Sequence, residues 1–165
     1  MSGSAAALLD GSRGSGSQHS EHERDYDKGV AMATAKAMLE TYPRDFNVDA
    51  DVLARCIDAC YECAEVCTLC ADDCLSEDDV PSLIKCVRLN LDCADVCHAA
   101  GRVTARQTEY DANVTRAIVE ACAQACQSCG DECESHADHH EHCRICSEAC
   151  RRCEQACREL LASIA

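Results

Sequence analysis

The chain has 165 residues, of which 18 are cysteine, one is phenylalanine (Phe46) and none is tryptophan. Thirty acidic side chains against fifteen basic ones leave a formal net charge of −15, a surface that repels phosphate backbones and anionic lipid and so argues against nucleic-acid or membrane-surface binding. The length fits one domain with a short appendage, and with aromatic packing scarce the interior falls to cysteine, a small hydrophobe when reduced.

In chain order, residues 1–26 read as a disordered tail rich in Ser, Gly and charge. The apolar stretch in it, Ala5 to Leu9, is shorter than the ~7–15 residues of a secretory signal core, and no basic segment precedes it. No apolar run approaches the ~20 residues of a membrane span. The expectation is a cytoplasmic chain whose thiols stay reduced. His19 and His22 fall in the tail and receive no role. Residues 27–165 are read as the folded part, beginning with a short helix near 27–41 that stops because Tyr42 precedes Pro43. Met32 and Met38 lie in its apolar segment, where packing explains them better than thioether ligation.

Four longer helices are predicted at 49–75, 80–106, 112–135 and 138–163. The breaks between them are Ser76 to Pro81, with Pro81 suited to a first helical turn, Gln107 to Asp111, and Glu134 to Glu141. Each helix carries a group of cysteines. Cys56, Cys60, Cys63, Cys67, Cys70 and Cys74 advance by 4, 3, 4, 3 and 4. Cys86, Cys93 and Cys97 follow, then Cys122, Cys126, Cys129 and Cys133, then Cys143, Cys146, Cys150, Cys153 and Cys157. Steps of three and four keep one face of an α-helix, whereas a strand would need even steps throughout. Such neighbours hold their Cβ atoms ~5–6 Å apart, beyond the ~3.5–4.5 Å of a disulfide, so bridges within one helix are disfavoured.

Short connections make sequential helices antiparallel neighbours, which predicts an all-α, up-down-up-down four-helix bundle with the extra N-terminal helix attached. The cysteine stripes occupy the places of core Leu and Ile. Aligning them gives two unlike ends. One gathers Cys74, Cys86, Cys133 and Cys143 beside His136, His139, His140 and His142; the other continues into Leu53, Ala100, Thr104, Ile118, Leu161 and Ile164. The first stripe alone runs about 27 Å at ~1.5 Å per residue. Asn90 stands on the second stripe where the period would place another cysteine, as an oxygen ligand or a hydrogen-bonding group.

Soft thiolates select Cu(I), Zn(II) or iron–sulfur clusters. A tube of zinc tetrathiolates would accumulate buried negative charge, which is costly without partners, and the stripes carry almost no inward basic residue. Cu(I) with one thiolate per ion is formally neutral. If each sulfur bridges two ions, the load approaches one Cu(I) per cysteine, on the order of 18. Zinc sites that share no thiolate would number about four, and they need four converging ligands.

The run Cys56-x3-Cys60-x2-Cys63-x3-Cys67-x2-Cys70-x3-Cys74, repeated in kind on four helices over residues 49–163, resembles the bacterial copper storage proteins, and the missing signal segment resembles their cytosolic branch. The resemblance implies many Cu(I) ions held along the core by the eighteen cysteines, entry through a histidine-bearing mouth that makes His136, His139 and His140 candidate ligands, with His142 beside them, and assembly into a homotetramer. It implies storage and no catalysis.

Two other readings compete. A zinc-buffering or structural zinc protein would use the same thiols at lower stoichiometry. An iron–sulfur or thiol-redox protein would use pairs such as Cys126-x2-Cys129, but those pairs sit in mid-helix, away from the helix N-termini that lower a thiol's pKa and from the loops that wrap clusters. A metal-free cysteine core is the plainest reading, and eighteen thiols at ligand spacing count against it. His98, one residue off its stripe, reads as a surface or interface residue. The acidic residues read as a solvated face that steers cations weakly toward the mouth.

Overall fold

Side chains spaced by three and four residues form a continuous apolar stripe only if the backbone is helical, and the buried face of each helix follows that stripe. The computed structural model describes residues 34–45 and 48–164. The expected tail at 1–26 and the first half of the N-terminal helix, Met32 included, lie outside the described residues. Residues 34–40 are helical. They precede four long helices, α1 (Ala50–Leu75), α2 (Val80–Thr104), α3 (Ala112–His136) and α4 (Glu141–Ser163).

Local chemistry sets the helix starts. Asp49 Oδ1 accepts from the backbone N–H of Asp51 at 2.8 Å and of Val52 at 3.0 Å. Asp111 Oδ1 does the same for Asn113 and Val114, at 2.8 and 3.1 Å. Each cap satisfies donors that have no partner within the first turn. Pro81 fills the first turn of α2, where its missing N–H costs nothing. The fourth helix begins at Glu141, three residues later than the spacing suggested. The backbone N–H groups of His139 and His140 both donate to His136 O at 3.0 Å, which keeps residues 137–140 in a tight turn.

The four helices form a ring in which α1 packs on α2, α2 on α3, α3 on α4 and α4 on α1. Two glycines let neighbouring helices approach closely. A Cβ on Gly101 of α2 would stand 3.2 Å from the Tyr61 ring and 3.3 Å from Cys60 Cβ on α1, and one on Gly130 of α3 would stand 3.3 Å from Cys150 Cβ on α4.

Every one of the eighteen cysteines is buried, none more than 2% exposed. The end away from the histidines is closed by Leu53, Ala100, Thr104, Val119, Leu160 and Ile164, all buried. Ile118 and Leu161, expected in that plug, are only half-buried against it. The stripes leave Cys122 and Cys157 by a step of three, not four, so Val119 and Leu160 take the inward places. Met38, expected to pack, is 68% exposed, and the adjacent Leu39 is the residue buried against the bundle.

Candidate metal centre

Because a ring of four helices leaves no direct backbone contact across its diagonals, whatever meets on the axis must be side chains, and here they are sulfur atoms. Across one diagonal, Cys60, Cys63 and Cys67 of α1 stand 3.8, 3.9 and 3.9 Å from Cys122, Cys126 and Cys129 of α3. Across the other, Cys97 and Cys86 of α2 stand 4.0 and 3.9 Å from Cys153 and Cys143 of α4. Steps along the axis are as short: Cys63 to Cys67 is 3.8 Å and Cys93 to Cys97 is 3.8 Å. At the plug end Cys56 pairs with Cys157 at 3.9 Å. All eighteen thiols are free, with no disulfide among them.

These sulfurs fall into overlapping sets of four. Cys63, Cys67, Cys93 and Cys150 form one set, and Cys63, Cys97, Cys126 and Cys153 form the next. Cys67 and Cys150 recur with Cys129 and Cys146, and Cys153 recurs with Cys60, Cys122 and Cys157. In each set the sulfurs lie within 4.8 Å of one another. Sharing of this kind is what bridging thiolates require. It works against isolated tetrahedral sites, which would each claim four sulfurs outright.

The core is a hydrogen-bonded set of thiols in which bonded partners are driven in opposite directions: Cys63, Cys93 and Cys122 are held down by their bonds with Cys126, while others are held up. Cys74 is pushed up to about 12, first by burial and then by the neighbouring Cys86. Deeper in, Cys67 is held up by its hydrogen bond with Cys129 and Cys126 by that with Cys122, with burial acting in the same direction. Basic side chains stay outside: Arg152 pairs with Glu62 at 2.6 Å and Arg151 with Asp131 at 2.5 Å. Asn90 is completely buried among the thiols. Its Nδ2 donates to Cys86 O at 2.9 Å, and its Oδ1 accepts from Cys146 at 2.9 Å and Cys129 at 3.4 Å.

The structure places the histidines in a graded array at one end. His142 reaches the thiols: its Nδ1 is 3.4 Å from Cys70 Sγ, 3.5 Å from Cys143 Sγ and 4.0 Å from Cys74 Sγ. His140 lies one ring further out, its centroid 5.4 Å from that of His142. His136 is further still, 6.5 Å from His140 and 3.4 Å from Glu132 through Nε2, and His139 is exposed. His98 is exposed on α2, edge-on to Tyr61 at 5.9 Å. A residue that the spacing did not single out joins this end. Glu77 Oε1, in the connection between α1 and α2, accepts from His140 Nδ1 at 2.9 Å and from His142 Nε2 at 3.1 Å. Those bonds, the one from His140 foremost, hold its carboxyl below the usual range.

Comparison with known proteins follows the same lines. Residues 49–162 match the family model described as copper storage protein. The structure resembles that of the copper storage protein Ccsp from Streptomyces lividans loaded with 10 copper equivalents, with a TM-score of 0.78 and 59% identity over 79% of this chain and 99% of that one. It also resembles a Cu(I)-bound copper storage protein, BsCsp3, with a TM-score of 0.57 and 37% identity over 64% of this chain and 94% of that one. A curated relative, the uncharacterized cysteine-rich protein YhjQ of Bacillus subtilis, is 40% identical over 73 residues, 44% of this chain. The match spans 64% of that relative's length. A cysteine-lined bundle, matched along its whole helical body, places this chain in the copper storage protein family.

Proposed function

We propose that the protein stores Cu(I) in the cytoplasm, with the thiolates of all eighteen cysteines as ligands and His142 as the imidazole at the mouth, and that it turns over no substrate. The observation that carries this reading is the sharing of sulfurs between successive sets along the axis, because a column of bridged thiolates takes up many monovalent ions without accumulating charge. Relatives support it: one Streptomyces lividans structure is of a cytosolic copper storage protein with five coppers, another carries 10 copper equivalents. Among the histidines the geometry favours His142 as the ligand; His140 and His136 lie outside it as a polar rim, and His139 is open to solvent.

Self-association into a homotetramer belongs to the same reading. Ile84 and Leu91 are exposed at a seven-residue step on α2, followed at the next step by exposed His98. On α1, Tyr61, Leu69 and Leu75 are exposed as well. Exposed apolar side chains of this kind on two neighbouring helices are a surface that copies of a chain cover.

Anaerobic titration of the reduced protein with Cu(I), read against a chromophoric chelator, tests the storage function. Uptake approaching one ion per cysteine, on the order of 18, is the expected result. A plateau at about four would favour discrete zinc-type sites instead.

A further inference from the structure

The mouth holds one acidic side chain that no thiol contacts and that ties two separate connections together. Glu77 lies between α1 and α2, whereas His140 and His142 lie at the start of α4. Both imidazoles donate to the same oxygen, Oε1. The consequence for His142 is electronic as well as spatial. A neutral imidazole has one protonated and one bare nitrogen, and a carboxylate only accepts. With Nε2–H committed to Glu77, the proton cannot be on Nδ1, and the Nδ1 lone pair is directed at Cys70, Cys74 and Cys143.

We propose that Glu77 is a positioning residue for copper entry, which fixes the tautomer and the ring orientation of His142 so that Nδ1 receives the incoming Cu(I) and hands it to the first thiols. The inference rests on the storage reading above. His140 steadies the carboxylate from its other side. A carboxylate behind a metal-binding imidazole raises the basicity of the ligating nitrogen and removes the entropy of ring rotation, and loss of such a partner costs on the order of 10–100-fold in metal binding or activity. The ion's first stop is thus the nitrogen that faces Cys70, Cys74 and Cys143, from which it moves inward to those thiols.

The test uses the full-length reduced protein and two substitutions, Glu77→Ala and Glu77→Gln, the second retaining size and hydrogen bonding while adding a donor that can reverse the tautomer. Long-range 1H–15N NMR of the metal-free protein reads the protonated nitrogen of His142; stopped-flow mixing with a Cu(I) donor reads the loading rate. The expected result is a protonated Nε2 in the unsubstituted protein, a mixed or reversed tautomer in both variants, and loading slowed about tenfold or more with the final copper content unchanged. In a His142→Ala background, Glu77→Ala should add no further slowing. An unaltered tautomer or an unaltered rate in Glu77→Ala would overturn the proposal. So would a further slowing of equal size in the His142→Ala background, since the carboxylate would then act by its charge alone. Failure of the unsubstituted protein to take up copper would overturn the storage reading instead; the NMR arm is independent of copper.

Discussion

Asn90 shows how much a single side chain is asked to do inside a column of thiols. Its carboxamide occupies a stripe position, donates to Cys86 O and receives two thiol hydrogen bonds, so a polar group at zero exposure is fully satisfied and carries no desolvation penalty. It also supplies no sulfur. Replacing it with cysteine should therefore change capacity, at the cost of those hydrogen bonds. Asn90→Cys is expected to raise the Cu(I) plateau by about one ion, since load follows the number of bridging thiolates; the chelator titration measures it. An unchanged plateau would mean that sulfur count does not set capacity at this level. The asparagine was visible in the sequence because it broke the period of its stripe. Glu77 was not visible: its partners His140 and His142 lie more than sixty positions away, and no local pattern encodes a contact between a connection and the start of α4 that the fold alone brings together.

At the scale of the helix, steps of three and four were sufficient to place each cysteine on a buried face, because the same period that defines the stripe defines the helix. Where the pattern allowed either step the sequence was ambiguous, and the structure chose Val119 over Ile118 and Leu160 over Leu161. Helix ends were legible where proline announced them, as at Pro81, and less so at α4, where consecutive histidine N–H groups bond back to His136. The glycines are informative here. Gly101 costs its helix about 1 kcal/mol relative to alanine, and the close approach of Tyr61 and Cys60 explains its presence. Gly101→Val should destabilise the metal-free bundle by about 1–3 kcal/mol through overpacking, read as a lowered midpoint in chemical denaturation. A midpoint at or above that of the unsubstituted protein would show that α1 and α2 have room to part.

The whole molecule separates charge by depth. Acidic residues and their arginine partners are on the outside, the thiols are on the axis, and the apolar plug closes one end while imidazoles and Glu77 border the other. Such an interior has little beyond small thiols to hold it together, so ions that bind only the folded state add directly to its stability. Fold class, helix order and the unlike ends were all readable from the chain, since each is a consequence of stripes on short-looped helices. The sharing of individual sulfurs between sets was not, because it depends on diagonal distances that only the packed ring defines.

Copper K-edge X-ray absorption of the fully loaded protein probes that sharing most directly. Thiolates that each bridge two ions predict sulfur as the dominant first neighbour of copper, with a second shell of neighbouring copper. Copper surrounded mainly by nitrogen or oxygen, or sulfur-bound copper with no copper neighbour, would contradict a bridged column.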